Sequence, residues 1–166
     1  MLSFRPLMST DFPTLLAWLS TDHIKQWWDD GDDTLEKVAQ HYGSSETDVH
    51  RFVLIKSSQE RSIPIGYFQY YFVSSEVVGI DQFIGKIEDI DKGIGTKAVR
   101  LFIKHIVLKH RPRMVILDPH PNNRRAIRCY EKVGFAHYST KTTKDGKRAY
   151  WMRLNCRAFS EANTPG

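Results

Sequence analysis

A chain of 166 residues with 41% hydrophobic and 12% aromatic residues has the make-up of one globular domain, not of a disordered chain. Its net charge of +5 admits an anionic partner, but the basic residues are scattered, with no long basic run, zinc-finger spacing or RNP-like aromatic motif, which argues against nucleic acid. No apolar run approaches the roughly 18 residues of a membrane span, and two cysteines, Cys129 and Cys156, are too few for a disulfide framework. The seven histidines include no H-x-x-x-H pair and none at ligand spacing from a cysteine, so no metal is expected. The N-terminus lacks a basic region followed by an apolar core, so a cytoplasmic setting is expected.

Leu2 to Leu7 alternates weakly and predicts a first strand. Thr10 or Asp11 can cap a helix whose first turn tolerates Pro13, with Phe12, Leu15, Leu16 and Leu19 on one face. The stretch WWDDGDD, residues 27–33, follows. Asp33 and Glu36 resemble a capping box ahead of a second amphipathic helix carrying Leu35, Val38, Ala39 and Tyr42. Strands are predicted over 51–57, 63–73 and 77–84, a meander of hairpin-linked, antiparallel segments.

The pattern changes at 85–96, a polar loop ending in Gly93-Ile94-Gly95. Ala98, Val99, Phe102, Ile103, Ile106 and Val107 then mark a long helix, and Met114 to Leu117 a short strand closed by Asp118-Pro119. Asn122 or Asn123 caps a further helix ending at Gly134. Lys144 to Lys147 predicts the turn of a final hairpin. The order β-α-α-β-β-β-α-β-α-β-β predicts a single α+β domain over residues 1–166, a mixed sheet with helices on both faces. Residues 160–166 are expected to fray.

Lys92-Gly93-Ile94-Gly95-Thr96 stands between a strand and a helix, where glycine turns and a helix N-terminus make a seat for phosphate. It does not fit a Walker A loop. Gly93 to Ala98 matches G-x-G-x-x-A, but too little chain follows for a doubly wound nucleotide fold. A plain strand-to-helix turn that binds nothing is the other reading. Asp81 is a carboxylate inside an otherwise apolar strand, costly unless paired or functional. Asp118 reads equally as a turn cap before Pro119.

Taken together, Gly93-x-Gly95 and the run Asn123-x-x-Ala126-x-x-x-Tyr130-x-x-x-Gly134-Phe135 resemble the GNAT acetyltransferases, whose cofactor is acetyl-coenzyme A. Ile90 departs from the arginine or glutamine often found three residues before the first glycine in that family. Trp27-Trp28, Ile65-Gly66-Tyr67, Gly79-Ile80-Asp81-Gln82 and Ala126 to Lys132 extend the resemblance, over most of the chain, to the aminoglycoside 6'-N-acetyltransferases. Residues 74–78 stand where those resistance enzymes carry a longer aromatic and acidic insertion.

The resemblance implies a mostly antiparallel sheet splayed between its fourth and fifth strands. It implies a cofactor held by Gln82, Phe83 and Ile84 on one strand, by the loop Lys92, Gly93, Ile94, Gly95 and Thr96, and by Asn123, Ala126 and Tyr130. It assigns Asp81 as base or ammonium anchor, and Tyr130 as the acid that protonates the thiolate. Trp27, Trp28, Asp29, Asp30, Gln69, Tyr71, Asp81 and Asp118 become the acceptor site, with Asp32 beside them, for a cationic small-molecule amine. Indole faces suit sugar rings and carboxylates suit ammonium groups. For WWDDGDD the other reading keeps one tryptophan in the core and the aspartates as a solvated cap. Reaction by direct attack is expected, since Cys129 lies within the helix motif and is no ping-pong nucleophile. Acylation of a siderophore precursor or polyamine-like metabolite, or a non-catalytic acetyl-coenzyme A module, are the alternatives. A monomer or homodimer is expected.

Overall fold

The computed structural model describes residues 1–45 and 48–165. Its elements are β1 (Leu2–Pro6), α1 (Phe12–Leu19), α2 (Asp22–Lys25), α3 (Leu35–Tyr42), β2 (Val49–Ser57), β3 (Ser62–Phe72), β4 (Val77–Ile84), α4 (Ile94–His110), β5 (Met114–Leu117), α5 (Arg124–Val133), β6 (Ala136–Thr142), β7 (Arg148–Asn155) and α6 (Cys156–Ala162). Short 3-10 turns occupy Ser9–Asp11 and Ile87–Asp89.

The strands form one mixed sheet in the order β1-β2-β3-β4-β5-β7-β6. The pairs β1–β2, β5–β7 and β6–β7 are antiparallel, whereas β4–β5 is parallel. The parallel register runs over Val77–Met114, Val78–Val115 and Gly79–Ile116. A parallel pair needs a crossover, and α4 supplies it.

The chain divides into two compact units, residues 1–70 with 81–94 and residues 71–80 with 95–166. In the first, Leu15, Trp18 and Leu19 of α1 bury one face together with Ile24, Val38, Tyr42 and Tyr67. Trp28 and Phe83 are partly buried against that cluster. Asp11 does not cap α1 with its side chain. Its carboxylate instead accepts from the two terminal Arg5 guanidinium nitrogens, at 2.7 and 2.8 Å, and from the Met8 N–H at 2.9 Å. A bidentate charged pair outcompetes a neutral cap, and the Arg5 hydrogen bonds hold the Asp11 carboxyl below its ordinary pKa.

The cap of α3 also differs from expectation. Thr34, not Asp33, accepts the Lys37 N–H, at 3.2 Å. Asp33 pairs one turn along with the Lys37 ammonium at 2.7 Å, the i,i+4 spacing that brings side chains together on a helix.

Gly85 lies against the Trp18 indole so closely that a Cβ there would overlap the ring. Trp18 is buried and the Gly85 N–H is held by the Ile65 carbonyl at 2.8 Å, so neither partner is free to retreat. Gly85→Ala is expected to cost about 2–3 kcal/mol, as overpacked cores do. That corresponds to a Tm lowered by roughly 5–10 °C for a chain of this size, and an unchanged melting curve would show the contact to be soft.

In the second unit Ala98, Val99, Phe102, Ile103 and Ile106 form the buried stripe of α4, at the spacing the sequence predicts. Val115, Ile116 and Leu117 of β5 and Met152 and Leu154 of β7 are buried too. The Tyr71 ring fills the space over Gly79, where any Cβ would collide with it. Residues 160–162, expected to fray, are the last turn of α6. Asn155 caps this helix by accepting the Ala158 N–H at 3.0 Å, and Cys156 and Phe159 are buried. Burial holds the Cys156 thiol up at a pKa of about 11.

Candidate active site

Asp81 is half-buried on β4, and its Oδ2 accepts a hydrogen bond from Gln69 Nε2 at 2.9 Å. Gln69 Oε1 in turn accepts from the Tyr67 hydroxyl at 2.6 Å. Alternation along β3 explains this chain: residues 67 and 69 share one strand face. Burial raises the Asp81 pKa, the Gln69 bond opposes that rise, and the charge of Asp30 adds to it. The carboxylate is thus tied to a neutral amide, and its raised proton affinity suits a group that must accept a proton.

The WWDDGDD segment divides its labour. The Trp28 ring packs edge-on against Tyr67 and Phe83, with centroids 5.8 and 5.2 Å away. Its Nε1 donates to the Tyr42 hydroxyl at 3.2 Å. Trp28 is therefore tied to the core while remaining half-buried. Trp27 is half-buried, and Asp29 and Asp30 are exposed. Asp29 accepts the Gly31 N–H at 3.3 Å, a local turn bond. Asp32 meets His41 Nδ1 at 2.7 Å, and the ligand atoms of Asp30, Asp32 and His41 lie within 4.8 Å of one another.

Phe83, expected on the cofactor, turns its ring onto Tyr67 at 5.5 Å and Trp28. The neighbouring Ile84 carbonyl meets His23 Nε2 at 3.4 Å, and Gln82 is half-buried. Lys92 and Gly93 are exposed, and Gly93 takes φ +74°. No described atom lies within 4 Å of the place a Gly93 Cβ would occupy. A left-handed glycine therefore opens directly into the N-terminus of α4, whose 17 residues begin at Ile94. The first N–H groups of such a helix have no intrahelical acceptor, and they carry its partial positive charge.

In the second unit, Thr96 Oγ1 and Cys129 Sγ stand 3.4 Å apart, tying the first turn of α4 to α5. A Cβ on Gly95 would sit 3.6 Å from the same sulfur, an ordinary van der Waals contact. Burial raises the Cys129 pKa, ahead of the opposing Thr96 bond, so its thiol is a poor nucleophile. Asn123 caps α5, its Oδ1 accepting the Ala126 N–H at 3.3 Å. Tyr130 is half-buried, its ring 6.0 Å from Phe135. Tyr71 packs on Gly79 as described, and Asp118 follows the end of β5, half-buried.

Two contributors escaped the sequence reading. Tyr67, quoted only within the Ile65-Gly66-Tyr67 motif, is a core aromatic whose hydroxyl also hydrogen-bonds Gln69. Arg51 on β2 lies 5.7 Å over the Tyr42 ring, and its charge acts on the Tyr67 hydroxyl. The alternation of residues 67, 69 and 71 hinted at the first. Arg51 carried no such signal, because its partners come from other strands and helices.

The fold and the open, glycine-led helix start define an acyl-transfer class of protein, and the acetyltransferase (GNAT) domain family matches residues 8–142. The chain belongs to that family. It is 31% identical to an aminoglycoside N(6')-acetyltransferase type 1 of Klebsiella pneumoniae over 98% of this chain and 87% of that protein. The solved structure of AAC(6')-Ib with acetyl-CoA superposes with a TM-score of 0.87 at 31% identity, covering 99% of each chain. The same enzyme with ribostamycin and coenzyme A gives 0.88 at 31% identity, again with 99% of each chain. Among the described residues no helix is long and apolar enough to cross a membrane.

Proposed function

We propose that this protein transfers the acetyl group of acetyl-CoA to the 6'-amine of an aminoglycoside. The observation that carries the reading is Asp81, a half-buried carboxylate of raised pKa, one oxygen of which accepts a hydrogen bond from the neutral Gln69 amide. Relatives alike over nearly the whole chain, one of them named for this reaction and another solved with an aminoglycoside and coenzyme A, support the acceptor class.

Acetyl-CoA fits the chain's own features. The N–H groups opening α4, beyond the open Gly93 turn, would hold its diphosphate. Asn123 and Ala126, at the start of α5, would lie along it. The cofactor supplies an acyl group activated as a thioester. Asp81 anchors the acceptor ammonium and takes the proton the nitrogen loses as the new amide bond forms. Tyr130 holds a phenolic proton for the sulfur that departs when the thioester bond breaks. Exposed Asp29 and Asp30, with Trp27, attract the remaining ammonium groups of a polycationic sugar. Each of these roles asks a group to do what its charge and exposure already favour.

The test is acetyl-CoA consumption across a panel of aminoglycosides bearing or lacking a 6'-amine, with polyamines and hydroxylamino acids alongside. Turnover that requires the 6'-amine is the expected result. Turnover only on hydroxylamino acids or polyamines would move the protein to another acceptor class.

A further inference from the structure

We propose that Tyr67 is a positioning residue for Asp81: with Arg51 behind it, its hydroxyl fixes the Gln69 side-chain amide so that the nitrogen faces the carboxylate. This deepens the reading of Asp81 as base and rests on it. A glutamine amide has a donor end and an acceptor end, and in isolation it can present either. Facing an ionised carboxylate it must donate. Facing a protonated one it can turn round and accept the acid proton. A free amide therefore accommodates both forms of Asp81 equally, whereas a fixed donor favours the ionised one.

The geometry removes that freedom in steps. Arg51 is a donor only, and its positive charge acts on the Tyr67 oxygen. The Tyr67 hydroxyl donates its proton to Gln69 Oε1, 2.6 Å away. Burial raises the Tyr67 pKa strongly, so the phenol keeps that proton across the working range. With its oxygen engaged, Gln69 has only Nε2 for Asp81 Oδ2, at 2.9 Å. The other carboxylate oxygen is left to a substrate ammonium. The Tyr67 ring cannot swing away, because Tyr42, Trp28 and Phe83 pack against it at 5.3, 5.8 and 5.5 Å. The charged and titratable groups facing this chain are Arg51 on β2, Tyr42 on α3 and Asp30 in the loop before α3. Asp30 pushes Asp81 towards its protonated form, and the fixed amide works against it.

Tyr67→Phe keeps the ring and its packing and removes only the hydroxyl. The amide can then turn, and the protonated form of Asp81 gains a partner. In Tyr67→Phe, kcat/KM is expected to fall about three- to tenfold at pH 6, the size of losing one oriented hydrogen bond to a charged group. Near pH 9 it should return to within about twofold of wild type, since the base is ionised there in both proteins. A carbon-13 titration of the Asp81 carboxyl in the unliganded protein should move to higher pH in the same variant. In a Gln69→Leu background no amide remains to be fixed, so adding Tyr67→Phe should produce no further displacement. An unmoved titration, or an equal displacement in the Gln69→Leu background, would overturn the proposal. The titration needs no substrate, so a wild-type protein that acetylates no aminoglycoside would overturn the reading of the function without deciding the role of Tyr67.

Discussion

Asp81→Asn should lower kcat/KM about 100- to 1,000-fold at neutral pH while raising the melting temperature. The loss lies in the range reported for removal of a positioned general base. The gain follows from the same burial. An Asp81 whose folded pKa is raised binds its proton more tightly in the folded state than in the unfolded chain. Stability therefore falls as pH climbs from the ordinary carboxylate range through the raised folded value, and the full penalty applies above it. Asparagine has no charge to desolvate and can still accept the Gln69 Nε2 hydrogen bond, so the substitution lifts the penalty without opening a cavity. The variant should gain little at pH 4 and most at pH 8. Thermal melts of both proteins at those pH values, with initial rates, measure both halves. Wild-type turnover in Asp81→Asn would remove it as the base. A variant destabilised at pH 8 would instead make Asp81 a structural carboxylate.

The strands and the long helix were legible because their signals are local. Alternation along 63–73 and 77–84 gave β3 and β4 to within a residue, and the stripe from Ala98 to Ile106 gave α4. What escaped depends on contacts remote in sequence. Asp11 has the chemistry of a cap, but Arg5 on β1 offers it two charged hydrogen bonds. α6 was hidden because Asn155 ends a strand and caps a helix at once, and only burial of Cys156 and Phe159 sustains so short a helix. In the acidic segment the sequence left two readings open for the tryptophans. Trp28 is set against the core by Tyr67 and Phe83, and those rings arrive from two different strands. The motifs singled out Asp81 as base or ammonium anchor. They could not name Tyr67 and Arg51, whose role exists only once β2, β3 and β4 lie together.

Gly93→Val should weaken acetyl-CoA binding about ten- to a hundredfold, and two other glycines provide the control. Gly31, Gly93 and Gly146 take φ of +76°, +74° and +80°, and no described atom lies within 4 Å of a Cβ built on any of them. Valine at each position therefore meets the same backbone strain with its Cβ in open space, a cost of about 1–2 kcal/mol apiece. Their thermal penalties should match. Only Gly93 leads into the start of a long helix, where orphan N–H groups would meet the diphosphate. Hydrogen bonds to charged groups contribute about 1.5–3 kcal/mol each, so displacing one by a branched side chain gives the stated loss of affinity. Calorimetric titration with acetyl-CoA reads it directly, and the acceptor KM should hardly change. Gly31 lies in the acidic loop, so Gly31→Val should move the acceptor KM instead, and Gly146→Val, in the β6–β7 turn, should move neither. Equal acetyl-CoA affinity in all three variants would mean that the open space over Gly93 is an ordinary turn, and that the diphosphate is held elsewhere in the chain.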